Sequence, residues 1–255
     1  MEPSPENLGN LKEEIEKERK AIGFATDPDQ DRLVTLPLKS EELTPLLAGK
    51  FLMELQKENE KKMLSKIVIN LSTSSAWEEI GGEFGVEIVR VPVGEINVVE
   101  KMRKLKTFFG AEGHGGVILL PATAGRNSHI GMALILGYLI WSGKDLGKLE
   151  EEIPSYVMWK GKLESPSTYP ERWLKNAVNK LLAEKKENVK SLDHQDGFKI
   201  IFKDLSWVHL RPSNTEPIVR IFVEKRTENE KEVKEFYKEI LRIISSFSPK
   251  KGVVQ

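Results

Sequence analysis

The hydrophobic positions between residues 66 and 141 follow two alternating patterns. Short runs of strand-forming residues, such as Ile67–Leu71 and Val86–Val93, alternate along the chain with stretches that have apolar residues at helical spacing. Two such stretches are Ile96–Lys106 and Ser128–Trp141. Strands that alternate with helices are typical of an α/β unit with a largely parallel sheet. The sequence therefore predicts such a unit in the middle of the chain.

The first part of the chain predicts a helix, two short strands and a second helix. Ser4, followed by a proline, is typical of a helix start, and we expect this helix to run to about Lys20. The strands are expected at Ala21–Ala25 and Leu33–Leu38, and the second helix at Glu41–Glu58. The polar segment between the two strands is then a connecting loop.

The last part of the chain has a different order of elements. A stretch rich in serine and proline, Glu164–Pro170, is expected to be a linker. It is followed by a predicted helix, Glu171–Lys185, and by a predicted hairpin, Val189–Lys203, that turns at an Asp-Gly pair. Two strands on either side of Arg211–Arg220 and a final helix, Asn229–Ser246, complete a small α+β domain.

The composition excludes several functional classes. The 255 residues include 39 basic and 39 acidic side chains, so no strong net charge attracts the chain to nucleic acid or to anionic membrane. There is no cysteine, and therefore no disulfide framework, thiolate nucleophile or cysteine-based zinc site. The most apolar helix candidate, Ile130–Trp141, is too short to span a bilayer. We expect a cytoplasmic protein in which any recognition of anions is local.

A decapeptide near the carboxyl end concentrates polar groups between two apolar runs. It reads R-P-S-N-T-E-P-I-V-R, with Arg211 and Arg220 at its ends and Ser213, Asn214 and Thr215 between them. Guanidinium groups form charge-assisted hydrogen bonds with phosphate, and hydroxyls and backbone N–H groups supply neutral donors. A polar hairpin with solvated arginines is the alternative, but the density of donors favours a phosphate-binding loop.

A second polar segment, D-P-D-Q-D-R, joins the first two predicted strands. Asp27, Asp29 and Asp31 alternate, and alternate residues of an extended segment share a side. Carboxylates brought together repel each other unless a cation neutralises them, and oxygen ligands suit Mg²⁺. An EF-hand is excluded because Arg32 and Leu38 occupy its glycine and glutamate positions. An acidic surface turn remains the alternative.

A third segment, Phe109–Gly116, is rich in glycine and precedes a predicted strand. Its glycines do not open a helix, so the spacing is not that of a dinucleotide-binding fingerprint. Glycine lets a backbone approach a ligand closely, and Glu112 and His114 can exchange hydrogen bonds with sugar hydroxyls. Either a sugar-binding loop or a tight turn is compatible with this pattern.

The three segments resemble, in the same order, motifs of the phosphohexomutases, the family of phosphoglucomutase, phosphomannomutase and phosphoglucosamine mutase. R-P-S-N-T-E-P-x-x-R resembles the phosphate-binding loop of the last domain, D-P-D-Q-D-R the metal loop, and the glycine-rich segment the sugar-specificity loop of the third domain. The resemblance implies a mixed α/β sheet domain and a C-terminal α+β domain, preceded by a partial α/β domain. It assigns residues 1–57 to part of the second domain, 58–163 to the third and 164–255 to the fourth.

The resemblance also implies a role for each motif. Asp27, Asp29 and Asp31 are expected to hold Mg²⁺, with Arg32 beside the phosphate on the catalytic serine. Glu112 and possibly His114 are expected to orient the sugar. The residues expected to hold the phosphate of a hexose phosphate are Arg211, Ser213, Asn214, Thr215 and Arg220.

Three positions depart from the family pattern. Gln30 stands where a small residue is usual, His114 replaces serine or asparagine, and Asn127 replaces the aspartate of a G-R-D motif. The preceding Arg126 either reaches a phosphate or lies at the surface as an ordinary helix-start arginine. These three departures, all in predicted site loops, favour a non-catalytic phosphosugar-binding protein, whereas the intact D-x-D-x-D-R segment favours a catalytic one.

The family's reaction requires a phosphoserine in a loop such as T-A-S-H-N-P, and this sequence contains no such loop. We therefore expect either a separate polypeptide that carries the N-terminal half or a homo-oligomer. Two functions are compatible with the motifs. One is the substrate-binding and metal-binding half of a hexose-phosphate mutase, and the other is a non-catalytic phosphosugar-binding or scaffold protein.

Overall fold

A computed structural model describes residue 3 and residues 7–18, 21–60, 64–164, 170–213 and 218–245. The chain divides into two compact units, Met1–Pro154 and Ser155–Gln255. Within the described residues, none of the helices combines the length and apolar character needed to cross a membrane.

The first unit contains a two-stranded ribbon and a four-stranded sheet surrounded by helices. Its strands are β1 (Gly23–Thr26), β2 (Leu33–Leu36), β3 (Lys66–Asn70), β4 (Glu87–Val91), β5 (Phe109–Glu112) and β6 (Gly116–Leu119). Its helices are α1 (Gly9–Lys17), α2 (Leu43–Glu58), α3 (Ala76–Phe84), α4 (Glu95–Leu105), α5 (Ser128–Ser142) and α6 (Leu146–Glu151). The ribbon pairs β1 antiparallel with β2, and the sheet has the order β4-β3-β5-β6.

The four-stranded sheet has the predicted largely parallel character. Strand β3 is parallel to both β4 and β5, and only the hairpin β5–β6 is antiparallel. Residues 67–69 of β3 are apolar without alternation, and residues 67–70 are all buried, as expected for a central strand with both faces covered. Helix α3 ends where Gly85 adopts a left-handed backbone, with φ of 65°.

A buried amine joins three helical segments of the first unit. Lys50 Nζ donates to Glu54 Oε1 at 2.6 Å, to the Tyr138 hydroxyl at 2.8 Å and to Glu152 Oε2 at 2.7 Å. Burial alone would lower the pKa of Lys50, but the hydrogen bonds to Glu152 and Glu54 raise it above its ordinary value. The amine therefore stays charged and ties α2 and α5 to the end of α6.

The second unit is an antiparallel sheet with two helices. Its strands are β7 (Tyr156–Glu164), β8 (Val189–Asp193), β9 (Phe198–Phe202), β10 (Trp207–Pro212) and β11 (Ile218–Arg226), in the order β7-β11-β10-β9-β8. Its helices are α7 (Pro170–Lys185) and α8 (Glu230–Ser245). Leu210, Val219, Ile221 and Leu163 point to one face of the sheet and form a core with both helices.

The mixed α/β fold class is confirmed, with several local differences from the sequence predictions. Phe109–Glu112 is a buried strand rather than part of a loop, because the glycine-rich turn occupies only residues 113–115. Strand β7 lies in the second unit and pairs along its whole length with β11. Helix α1 begins at Gly9 and ends at Lys17, and Ser4 lies outside the described residues.

Candidate functional site

The segment Asp27–Arg32 closes the ribbon β1–β2 and is organised by its first carboxylate. Asp27 Oδ1 accepts hydrogen bonds from the backbone N–H groups of Asp31 at 3.1 Å and Arg32 at 3.2 Å. Arg32 Nε lies 3.5 Å from Asp27 Oδ2. Burial alone would raise the pKa of Asp27, but the backbone N–H groups and Arg32 lower it overall. Asp27 is therefore held as a carboxylate.

The conformation of Gln30 explains why this position is unusual. Its φ is 58°, in the left-handed region that favours glycine. The Gln30 carbonyl accepts hydrogen bonds from Ser128 Oγ at 2.7 Å and from Ser128 N at 3.4 Å. These two bonds fix the loop to the start of α5, which compensates for a side chain at a position that suits a smaller residue.

Arg126 lies at the centre of three carboxylates. Its guanidinium pairs with Asp31 of the loop, its Nε lies 3.1 Å from Glu95 Oε2, and a terminal nitrogen lies 3.2 Å from Glu112 Oε2. Burial alone would lower the pKa of Arg126, but Glu112, Asp31 and Glu95 raise it. Burial also raises the pKa of Asp31, against the opposing effect of Arg126. Arg126 thus connects the predicted metal loop to the predicted sugar loop.

Two of the three predicted metal ligands are close together. The carboxylates of Asp27 and Asp31 influence one another's protonation, and Asp31 Oδ1 is buried without a hydrogen bond from any described residue. Asp29 is exposed, and no group of three or more His, Asp or Glu side chains in the described residues is arranged to hold a metal. Mg²⁺ commonly takes one or two protein carboxylates and completes its shell with water or phosphate. Asp27 and Asp31 fit such a site.

Glu112 is buried at the end of β5 and has several protein partners. Its Oε1 accepts hydrogen bonds from Asn70 Nδ2 at 3.0 Å and from Gly94 N at 3.1 Å. Together with the contact to Arg126, these bonds use both carboxylate oxygens. In this arrangement Glu112 links the carboxyl end of β5 to Asn70 and Gly94. A sugar hydroxyl that bound Glu112 would have to share the carboxylate oxygens with these donors.

The turn after Glu112 lies against the ribbon. His114 and Gly115 have φ values of 63° and 79°, and the Gly115 carbonyl accepts a hydrogen bond from Leu33 N at 3.1 Å. His114 Nδ1 lies 3.4 Å from Glu41 Oε1, and its side chain is 38% exposed. His114 is therefore accessible from solvent, in contrast to Glu112.

Sequence reasoning missed Asn70 and Glu95 as members of this cluster. Asn70 ends the buried strand β3, and Glu95 opens α4 directly after a glycine. A polar residue at the carboxyl end of a central parallel strand is the signal that would have identified Asn70, because ligands bind at that edge in open α/β sheets.

The second unit places the two arginines of the decapeptide opposite each other. Arg211 of β10 and Arg220 of β11 are direct partners, and Ser213 N donates to the Ile218 carbonyl at 2.9 Å. Arg211 Nε lies 3.0 Å and 2.8 Å from the two carboxylate oxygens of Asp196, in the turn between β8 and β9. Arg220 is exposed. Residues 214–217 lie outside the described residues, so the predicted roles of Asn214 and Thr215 stay predictions.

A buried histidine lies two residues before Arg211. His209 Nε2 donates to the Asp196 carbonyl at 2.6 Å, which fixes its tautomer. Burial lowers the pKa of His209 to about 4. The hydrogen bond to the Asp196 carbonyl opposes this effect, and the nearby charge of Lys199 adds to it. The imidazole is therefore neutral at pH 7.

Two family models match the chain. The phosphoglucomutase/phosphomannomutase alpha/beta/alpha domain III matches residues 41–156, and the C-terminal domain of the same family matches residues 170–243. The chain belongs to the phosphoglucomutase/phosphomannomutase family. The mixed α/β fold and the family resemblance inferred from the sequence motifs are thereby confirmed.

Curated relatives and solved structures agree with this membership. The probable phosphoglucosamine mutase of Methanopyrus kandleri is 30% identical over 94% of this chain and 52% of its own length. A phosphoglucomutase/phosphomannomutase family protein from Burkholderia thailandensis has a TM-score of 0.75 at 20% identity, over 98% of this chain and 52% of its own. An N-acetylphosphoglucosamine mutase of Aspergillus fumigatus, solved with GlcNAc-6P and magnesium, has a TM-score of 0.61 at 15% identity. The match covers 90% of this chain and 52% of that protein's chain. The chain spans about half the length of these proteins.

Proposed function

We propose that the chain is the C-terminal half of a magnesium-dependent hexose-phosphate mutase of the phosphomannomutase/phosphoglucomutase type. Such an enzyme moves a phosphoryl group between C1 and C6 of a phosphosugar. The observation that carries the proposal is the pairing of Asp27 and Asp31 beside Arg126, because a buried, unbonded carboxylate oxygen next to a second carboxylate suits a hard cation. Family membership supplies the reaction class.

Under this proposal the charged groups of the first unit serve the chemistry. Asp27 and Asp31 would hold Mg²⁺, with Asp29 as the exposed third member of the motif, and the bound ion would neutralise charge on the transferring phosphoryl group. Arg32 would lie beside the phosphate on the catalytic serine. When no metal ion is bound, Arg126 keeps Asp31 and Glu112 oriented.

The residues proposed to contact a sugar phosphate lie in both units, and each set is proposed by itself. Glu112 and His114 would orient the hydroxyls. The phosphate would be held by the decapeptide of the second unit, through Arg211, Ser213, Asn214, Thr215 and Arg220. Asp196 supports this assignment, since a carboxylate that contacts Arg211 through both oxygens presets the guanidinium orientation.

The remaining half of the enzyme is also part of the proposal. The phosphoserine would come from a separate N-terminal-half polypeptide, or the chain would function as a homo-oligomer. The proposed location is the cytoplasm. The relatives are about twice as long as this chain.

One observation favours a second function, a non-catalytic phosphosugar-binding or scaffold protein. Arg126 already neutralises Asp31 and contacts Glu112, whose oxygens also receive hydrogen bonds from Asn70 and Gly94. Apart from Asp31 Oδ1, the acids of this cluster are paired within the protein, and paired acids have less need of a metal.

Mutase assays separate the two functions. The chain is incubated with glucose, mannose and glucosamine phosphates, Mg²⁺ and a hexose bisphosphate, with and without an N-terminal half taken from a full-length relative. Activity that depends on both the added half and Asp31, and that is lost in D31N, supports the mutase. Binding of hexose phosphate without activity under any condition supports the scaffold. Absence of binding contradicts both.

A further inference from the structure

The face of the second unit's sheet that carries Arg211 is not the face on which its helices pack. Leu210 and Ile221 belong to the helix-covered core, and a Cβ at Gly161 would overlap Tyr237 of α8. Adjacent residues of a strand point to opposite faces. Arg211, Arg220 and Lys162 therefore share the other face.

These three cations form one row across three adjacent strands. Arg211 is the direct partner of Arg220, and Arg220 is the direct partner of Lys162 in β7. Neighbouring strands are about 5 Å apart, so the row spans about 10 Å, within reach of three long side chains. Lys162 does not belong to any motif identified in the sequence, since it lies in β7, far from the decapeptide along the chain.

The row is electrostatically unbalanced. Asp196 neutralises Arg211, whereas among the residues that the structure describes no carboxylate pairs with Arg220 or Lys162, and both are exposed. Like charges directly opposite each other in a sheet are unfavourable. An anion that contacts both side chains removes this repulsion, and a dianion does so more completely than a monoanion.

We propose that Lys162 is a phosphate-binding residue that makes the second unit selective for dianionic phosphate monoesters. The inference rests on the proposed function, because it extends the predicted phosphate site by one residue. Arg211 and Arg220 supply planar forks that orient the phosphate, whereas the lysine ammonium contributes a mobile point charge. Its contribution therefore depends on the charge of the ligand more than on its shape.

Calorimetric titration of the whole chain tests this role. The ligands are glucose 6-phosphate, a dianion at pH 8, and its methyl diester, a monoanion. We expect K162Q to weaken binding of the dianion about tenfold and of the monoanion about twofold or less, because a charge-assisted contact is lost. K162R is expected to restore most of the affinity.

K190Q is the matched control, because Lys190 is an exposed lysine of β8 at the opposite edge of the same sheet. If K162Q and K190Q bind both ligands alike while R220Q is weakened, the role of Lys162 is wrong and the phosphate loop stands. Equal weakening of both ligands by K162Q also contradicts selectivity. If the unmodified chain binds neither ligand, the phosphate site itself is wrong and Lys162 with it.

Discussion

Arg126 of the first unit is surrounded by three carboxylates, whereas Arg211 of the second unit has one carboxylate and lies in a row with two other cations. The formal net charge of the chain is zero, so neither region is evident from composition. The first region has surplus negative charge and suits a cation, and the second has surplus positive charge and suits an anion. Equal totals of acidic and basic residues thus conceal two sites of opposite sign.

The two regions share one backbone feature. In each, a glycine with a left-handed backbone lets a hairpin turn contact a strand that carries charged residues. Gly115 lies against Leu33, next to Arg32, and Gly197 lies against the Leu210 carbonyl, next to Arg211. The charged groups differ, but their backbone supports are alike.

The largest effect is expected from removing the guanidinium of the first unit. R126L leaves Asp31, Glu95 and buried Glu112 without their common cation, and we expect a loss of about 3–5 kcal/mol in the free energy of unfolding. Urea unfolding measures this loss, and hydrogen exchange of β3 peptides locates it in the first unit.

Two further variants sharpen this result. R126L/E112Q is expected to recover part of the lost stability, because one buried charge is removed together with its partner. R103L removes an exposed arginine of α4 and is expected to change stability by less than about 0.5 kcal/mol. An R126L protein as stable as R103L would show that the three carboxylates do not depend on Arg126.

In the second unit, acidification is expected to have the next largest effect. His209 is neutral when folded, with a pKa lowered from 6.5 to about 4, so the unfolded state binds the proton more tightly between these values. The stabilisation is complete above pH 6.5 and is lost as the pH falls towards 4, by about 3 kcal/mol in total.

Unfolding by urea at a series of pH values measures this loss. H209Q should unfold with a shallower pH dependence than the unmodified chain, whereas H129Q, which removes an exposed histidine of α5, should not. NMR titration that placed the pKa of His209 above 6 would contradict the assignment.

The elements were predictable from the sequence where the pattern is local. Helix α3 ends at Gly85 as expected, and the hairpin β8–β9 turns at the predicted Asp-Gly pair, because a left-handed backbone position favours glycine. Strand β5 was missed, since a glycine-rich strand buried between neighbours has few of the residues that favour strands.

The site was predictable only as separate motifs. Asp27, Asp31 and Glu112 were identified from their segments, but their connection through Arg126 depends on contacts between residues about 95 positions apart. Lys162 lies outside every motif, and Asp196 was predicted only as part of a turn. The pairing of β7 with β11 and the position of the β8–β9 turn bring them to the arginines. Contacts of this kind follow from topology, which no local pattern encodes.

The shared backbone feature is tested by alanine substitutions. A Cβ at Gly115 would overlap the Leu33 carbonyl oxygen and one at Gly197 would overlap the Leu210 carbonyl oxygen, both at left-handed positions. We expect G115A and G197A each to lose about 2–3 kcal/mol of unfolding free energy, from steric overlap and backbone strain.

The matched control is G82A, in the interior of α3, where a Cβ meets no atom within 4 Å. It is expected to gain about 0.5–1 kcal/mol, because alanine favours a helix more than glycine does. If urea unfolding shows G115A to be as stable as G82A, the turn does not support the ribbon in the way the contacts indicate.

The smallest effect concerns the residue next to Arg126. Asn127 caps α5 by accepting a hydrogen bond from Ile130 N at 3.1 Å, so N127A is expected to lose about 1 kcal/mol of unfolding free energy, as is D145A at the corresponding position of α6.

N127D restores the aspartate typical of the family motif and keeps the cap. A helix N-terminus favours a carboxylate by about 0.3–1 kcal/mol, but the region already has surplus negative charge. We therefore expect urea unfolding to place N127D within about 0.5 kcal/mol of the unmodified chain at low salt, and a larger gain would mean that Arg126 can neutralise a fourth acid.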